Sequence, residues 1–494
     1  MKNNDILIIG GGIAGMTAGI YAQKSGMQAT ILEMHENPGG QLTAWERNGY
    51  LFDYCLHWLV GTDHGTYHDI WRETNAITDD VQIINHRTYA KMVDEKHGEF
   101  IVYNNLDEWE EYLINLAPED KKSIEKMCRL MRKGNRLDQF ENPPGMRSVL
   151  DYFSSFLHIG SFFPILIKYG KRNCQELLEE LGFNNQRLLY FLNRLFVGRD
   201  FSAISFIVMF GWFHAKNAGY LLGGSSAMTR RMAEKFSSLG GQFRFKSKVT
   251  EIVVENDTAI GVKLENDEII YADHVIGACD GHTLLFDMLK GNYLDDKIKK
   301  AYADWPLFTP IVMVSFGIND VIESENHITS YFKEGLSIGS TKIESYNIMN
   351  RSSYDPAFAP EGKTVLLCQF ESPWSHWENL EATAYPDEKE AIRKDTVNLL
   401  EKHYPGITEK IEVIDIATPL TTARYTGVWQ GSYEGFLPTL DITNELPMKL
   451  PRLKNFTMIG QWLYPGGGLP PSAQSGKWAI KMLCEEKKLA FKSV

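Results

Sequence analysis

Three observations predict an α/β protein in which a parallel, nucleotide-type sheet is interwoven with a second, mixed β-sheet and interrupted by a helical insertion. The chain opens on a short apolar run, Ile6 to Ile9, that passes straight into Gly10-Gly11-Gly12 and then into a helical pattern. From about Leu106 to Phe213 strand signals give way to leucines and aromatics at helical spacing. Beyond that point β-branched runs return, and the last forty residues hold a further strand, a glycine-rich turn and a helix.

Ile6 to Ile9 reads as a strand buried on both faces, Ala14 to Ser25 as a helix, and Gln28 to Glu33 as a second strand, which together make one βαβ start. In the helical stretch, Leu177-Leu178-x-x-Leu181 and Leu188-Leu189-x-Phe191-Leu192 repeat at helical intervals. Lys248 to Val254 and Ile260 to Leu264, joined across Glu255-Asn256-Asp257, predict a hairpin, and His274 to Ala278 another strand. Ile311 to Phe316, Val365 to Phe370 and Ile411 to Ile416 predict a second sheet, separate from the first. Phe456 to Ile459 is the final strand, and a helix starts near Pro471, where proline is tolerated in the first turn. The expected division is a discontinuous nucleotide domain of residues 1–95, 220–300 and 445–494, a helical insertion of 96–219, and a substrate-domain sheet of 301–444.

At 494 residues the chain is long enough for two or three domains around separate cores. Its apolar fraction of 44% and charged fraction of 23% are those of a globular protein. The formal charge of −12 repels phosphate backbones and argues against nucleic acid as a partner. Six scattered cysteines form no C-x-x-C pair, so neither a zinc site nor a redox disulfide is expected, and no metal is assigned. The N-terminus lacks the apolar core and small residues of a secretion signal, which makes a cytoplasmic location the expectation. Tyr152 to Ile167, followed by Lys168, Lys171 and Arg172, is too interrupted to span a bilayer; it is read either as a segment lying on the inner membrane face or as a buried helix lining an apolar pocket.

Gly10-Gly11-Gly12-Ile13-Ala14-Gly15 satisfies G-x-G-x-x-G directly between a strand and a helix. Gly10 makes the tight turn, Gly12 lets backbone approach a pyrophosphate, Gly15 allows close helix–strand packing, and the N–H groups at Ile13 and Ala14 face the phosphates. Glu33, 18 residues after Gly15, stands where a carboxylate accepts both ribose hydroxyls. A free carboxylate there repels a 2′-phosphate, which favours FAD or NAD over NADP. Near the C-terminus, Gly466-Gly467-Gly468 removes every Cβ beside a flat ring, and the helix that follows aims its positive end at the same place.

Several further segments, taken in order, carry a resemblance: Asn37-Pro38-Gly39-Gly40-Gln41; Gly49-Tyr50-Leu51-Phe52-Asp53; Tyr220-Leu221-Leu222-Gly223-Gly224 with Val249-x-x-Ile252; Asp355-Pro356 through Gly362-Lys363; Thr418-Pro419-Leu420-Thr421; Arg424-Tyr425-Thr426-Gly427; and Ile459-Gly460-Gln461 with Pro465 to Pro470. Across nearly the whole chain these resemble the phytoene desaturase, retinol saturase and carotenoid isomerase flavoproteins. The resemblance implies a Rossmann-like FAD-binding domain with FAD held by Gly10, Gly12, Ile13, Ala14, Gly15, Glu33, Gly40, Gln41, Val249, Gly460, Gln461, Gly468, Leu469 and Pro470. It also implies an interwoven mixed β-sheet substrate domain with the helical insertion. The sequence departs from the pattern at Gln41, where relatives often carry a cation, at Cys55 and at Gln461.

Hydride transfer to or from a flavin needs positioning and a dry site more than side-chain chemistry. His57 is the candidate proton-transfer residue, and Arg424 and Tyr425 are candidates to line the substrate channel. The implied activity is FAD-dependent oxidoreduction at C–C or C=C bonds of a lipophilic polyene or isoprenoid, by desaturation, saturation or cis/trans isomerisation. An unsaturated fatty acid isomerase or reductase, and a non-catalytic lipid or prenyl-group carrier, are the alternatives. No second G-x-G-x-x-G is present for a nicotinamide, so the electron acceptor is left open among a quinone, oxygen and another protein.

Overall fold

The computed structural model describes residues 5–195, 200–324, 326–439 and 445–493, without the side chains of 154–156 and 158. β1 (Asp5–Ile9) is buried along all but its first residue, as a central parallel strand must be. It leads through the glycine turn into α1 (Ile13–Lys24) and back into β2 (Gln28–Leu32). With β3 (Gln242–Arg244), β4 (His274–Gly277) and β5 (Phe456–Met458) these strands form one parallel sheet in the order β3-β2-β1-β4-β5. Strands from both ends of the chain therefore share one sheet. α2 (Leu469–Lys487) lies against α1 with little between the backbones: a Cβ placed on Gly476 would stand 2.7 Å from the Ala14 carbonyl oxygen.

The expected hairpin is present as Val249–Glu255 and Thr258–Leu264, and its turn residues Asn256 and Asp257 both take positive φ. A second sheet of seven strands runs, in spatial order, through Ile411–Ala417, Ile311–Ile318, Thr364–Glu371, Thr341–Asn350, Ile328–Ile338, Thr88–Asp94 and Gly98–Tyr103. It is antiparallel except where Ile328–Ile338 meets Thr88–Asp94. A division at residue 95 would cut the Thr88–Tyr103 hairpin, and both its strands extend the second sheet rather than the nucleotide sheet. These strands were not among those expected from the sequence, and which sheet accepts them depends on pairing with residues more than two hundred positions away.

The helices from Leu106 to His214 close around a core of their own that includes Trp109, Met131, Phe191 and Phe210. Within this insertion, Val149–Ile159 leaves Val149, Leu150, Tyr152, Phe153 and Leu157 exposed to solvent, and Ile167 joins them. In the segment Tyr152 to Ile167, Phe162 and Ile165 are buried, so it is neither wholly exposed nor wholly buried. Among the described residues no helix is long and apolar enough to cross a membrane.

Candidate functional site

The glycine turn has the geometry that dinucleotide binding asks of it. Gly10 takes φ +103°, a conformation side chains resist, and a Cβ on Gly15 would come within 2.1 Å of the Gly10 carbonyl oxygen. Gly12 precedes α1 without any side-chain cap, so the first-turn N–H groups at Ile13 and Ala14 stay available. The second glycine pair is drawn alongside: the Gly39 N–H donates to the Gly11 carbonyl at 2.9 Å, and a Cβ on Gly40 would lie 3.3 Å from Gly12 Cα. Gln41 reaches the Ser432 carbonyl at 3.5 Å instead of presenting a charge.

Glu33 is buried at the end of β2 and accepts hydrogen bonds from the Gly11 N–H at 2.8 Å and the His35 N–H at 3.0 Å. The carboxylate is thus fixed beside the glycine turn with lone pairs left for a ribose. The Glu33 carbonyl also accepts from the Ser247 N–H at 2.8 Å, which brings the hairpin strand that starts at Val249 to the same edge.

From the other chain end, the Gly460 N–H donates to the Ser475 hydroxyl at 2.9 Å, and at φ +115° a Cβ on Gly460 would project into open space. Gln461 starts a short turn whose side chain lies under Gly467, where an added Cβ would sit 2.7 Å from the Gln461 Cβ. Gly468 precedes α2, again with no side-chain cap, and Leu469 and Pro470 form its first turn. Two uncapped helix N-termini, those of the packed pair α1 and α2, thus accompany a ribose-type carboxylate and backbone free of Cβ atoms. The residues present fit FAD on their own geometry.

His57 is also brought to the site, but its surroundings restrict what it can do. Arg351, 1% exposed, donates from Nη1 to the Leu56 carbonyl and the Tyr354 hydroxyl, each at 2.9 Å, and from Nη2 to Nδ1 of His57 at 3.1 Å. A guanidinium can only donate, so Nδ1 accepts and the neutral ring carries its proton on Nε2. Burial, reinforced by the Arg351 charge, holds His57 well below the usual histidine range. It is a fixed hydrogen-bond donor, not a proton-exchanging base. His57 shares a narrow recess, with room for about one water-sized group, with Trp58, His86, Tyr89, Phe213 and His327. His86 and His327 stack with ring centroids 3.8 Å apart; burial lowers His86 to about 4 and His327 well below its ordinary value.

Among the described residues Arg351 makes no direct carboxylate contact. Asp53 accepts from the N–H groups of Cys55, Leu56 and Ser225 and from the Ser225 hydroxyl, while Asp355 accepts from the Tyr220 hydroxyl at 2.8 Å and the Gly223 N–H at 2.7 Å. These two acids lock the loop at Tyr220–Gly224 to the segments that carry His57 and Arg351. Both stood out in the sequence; the guanidinium between them did not.

Arg424 and Tyr425 are not channel residues. Both side chains are exposed on the short helix Pro419–Thr426, with the guanidinium 4.9 Å from the tyrosine ring, and Tyr425 packs against His35 beyond the end of β2. The R-Y-T-G string is a helix end, with Gly427 as its left-handed terminator.

Sequence reading missed Glu434. It sits in the turn before the glycine run, where the Gly466 N–H donates to the Phe436 carbonyl at 2.7 Å. A Cβ on Gly468 would lie 3.5 Å from Glu434 Oε1, and one on Gly467 2.5 Å from the Glu434 carbonyl oxygen. Burial raises this carboxyl to about 7. No spacing signal marks a lone glutamate 34 residues before the α2 N-cap.

Comparison with known proteins agrees with this geometry. A family profile described as flavin containing amine oxidoreductase matches residues 13–479. The chain is 22% identical to the chloroplastic prolycopene isomerase of Daucus carota, over 100% of this chain and 82% of that protein. It is 24% identical to the neurosporene-forming phytoene desaturase of Cereibacter sphaeroides, over 96% and 94% respectively. Its fold is shared with the cyclohexylamine oxidase of Brevibacterium oxydans at a TM-score of 0.60 and 14% identity, covering 98% of this chain and 99% of that one.

Proposed function

The chain belongs to the flavin containing amine oxidoreductase family and is an FAD-dependent oxidoreductase, and from that premise we propose that it acts on the carbon–carbon bonds of a lipophilic polyene or isoprenoid. The carrying observation is the similarity along nearly the whole chain to a prolycopene isomerase and a phytoene desaturase. The recess at His57, walled by Trp58, Tyr89 and Phe213 with Asn85 and Asn104, has room for about one water-sized group. The named relatives, a prolycopene isomerase and a phytoene desaturase, act on molecules of this kind.

Bound FAD supplies two-electron chemistry as a hydride acceptor and donor. The protein's own share is to fix the cofactor between Glu33 and Gly468, to keep the reacting face dry, and to hold His57 as a donor from Nε2. Glu33 would hold the adenosine ribose, the α1 N-terminus would meet the pyrophosphate, and the α2 N-terminus would stand by the flavin ring, where it would favour the charge that reduction places there. Desaturation, saturation and isomerisation all fit this arrangement.

A second substrate, an unsaturated fatty acid, is favoured by Arg351, a buried guanidinium whose hydrogen bonds among the described residues go to uncharged groups. We further propose that the exposed apolar side chains of Val149, Leu150, Tyr152, Phe153, Leu157 and Ile167 rest on a membrane surface, from which such substrates are taken.

The test is anaerobic spectroscopy of the FAD-loaded protein against hydrocarbon polyenes, retinoids, unsaturated fatty acids and small amines. Flavin bleaching or reoxidation by a lipophilic compound supports the reading. Response to a small amine alone would sink it.

A further inference from the structure

Addition of hydrogen across a C=C bond, and its removal, require a proton as well as a hydride. His57 is excluded from carrying that proton because Arg351 occupies Nδ1 and holds the ring neutral. Glu434 is placed to do so. Its carboxyl lies beside Gly468 at the start of α2, in the tract assigned to the flavin.

Its position is built into the fold. Phe308 N–H donates to the Gly435 carbonyl, Leu437 N–H to the Pro306 carbonyl, and Gly466 N–H to the Phe436 carbonyl, so the turn carrying Glu434 is tied to the glycine run and to the segment 306–308 ahead of the strand Ile311–Ile318. Among the described residues its carboxyl accepts no hydrogen bond, and the residue is half-buried. The ionisable neighbours are Cys55, Tyr89 and Tyr433, each pushed up by burial and uncharged at neutral pH, with Tyr54 behind them. Glu371 lies beyond Tyr433, and Asp53 and Arg351 beyond Cys55.

We propose that Glu434 is the catalytic acid–base residue of this enzyme, exchanging the proton that accompanies hydride transfer at the substrate carbon–carbon bond. The proposal rests on the polyene reading above. In saturation, one C=C π bond is replaced by two C–H bonds: the hydride, with both electrons, comes from reduced FAD, and the proton from the Glu434 O–H. The resulting carboxylate recovers its proton from water. Desaturation reverses each transfer, with oxidised FAD taking the hydride and Glu434 the proton. A carboxyl raised to about 7 is suited to both directions at neutral pH.

Two measurements on the full-length FAD-bound protein test this. First, the absorbance of the bound flavin is followed from pH 5 to 9 with no substrate. Wild type is expected to show one transition near pH 7 that is absent in Glu434→Gln and moved in Glu434→Asp; persistence of the same transition in Glu434→Gln, or a flat wild-type curve, overturns the assignment. Second, single-turnover rates are measured with whichever polyene bleaches or reoxidises the flavin. Glu434→Gln is expected to lower the rate roughly 10²-fold or more and to lose the limb near pH 7, with substrate affinity unchanged. An unaltered rate or limb overturns it. If Glu434→Gln does not retain FAD, Glu434→Asp carries both readings, and an unmoved transition in that variant counts against the proposal. Failure of every polyene to affect the flavin would sink the substrate reading while leaving the substrate-free titration to decide Glu434.

Discussion

The two ends of the cofactor groove are built from different materials. At the adenosine end the work falls to backbone: Gly10, Gly12 and Gly15 shape a turn, helix N–H groups face outward, and one side chain, Glu33, adds the ribose contact. At the proposed reacting end the notable groups are side chains from distant segments: His57, His86, His327, Arg351 and Glu434. A backbone device demands particular residues at fixed spacing, because only glycine fits. A side-chain device tolerates any spacing that the fold can bring together. The comparison teaches that the first end determines what is bound and the second what is done with it.

The largest effect should come from breaking the backbone device. Gly15→Val places atoms where the Gly10 carbonyl already lies, and the variant is expected to purify colourless and take up no FAD on titration. Retention of FAD at wild-type affinity would show that the turn is not the binding element. Next, Glu33→Ala leaves the Gly11 and His35 N–H groups without an acceptor, at a cost of ~1–3 kcal/mol for a buried donor. Equilibrium dialysis should then show FAD affinity lower by about 10–100-fold, tenfold being about 1.4 kcal/mol.

At the reacting end, Arg351→Met should leave FAD bound but release His57. With the guanidinium gone, its lowering effect is lost, so the His57 transition moves up toward 6.5; nitrogen-15 histidine spectra over pH would follow it. A His57 signal unchanged in the variant would remove Arg351 from its positioning role.

A smaller effect concerns stability. Glu434 is raised from 4.5 to about 7 by folding, so its burial is tolerated in full below about pH 4.5 and costs stability as pH rises through 7. Denaturant titrations should show wild type losing ground to Glu434→Gln between pH 4.5 and 7, and no pH-dependent difference between them below that window. The smallest effect is expected from Phe153→Ser with Leu157→Ser on the exposed face of the insertion. Stability should stay within about 0.5 kcal/mol per site while binding to lipid vesicles falls; unaltered vesicle binding would detach this face from any membrane role.

The legibility of each element follows from the range of the interaction that makes it. The βαβ start, the hairpin at Val249–Leu264 and the C-terminal glycine run were readable because each is governed by neighbours within a few dozen residues. The placement of Thr88–Tyr103 in the seven-stranded sheet was not, because its partner strand begins at Ile328. Arg424 looked functional as a cation in a patterned string; the fold turns it to solvent. Arg351 sat unmarked in the sequence, and burial beside His57 makes it the controlling charge.

By itself, then, the sequence determined the cofactor class, the parallel sheet that carries it, and the family-wide order of segments, since steric limits at glycine and the repulsion between Glu33 and a 2′-phosphate are local facts. Tertiary structure alone decided how far burial shifts each ionisable group, His57 downward and Glu434 upward. That property depends on desolvation and on charges brought near by folding, and neither is written at any single position.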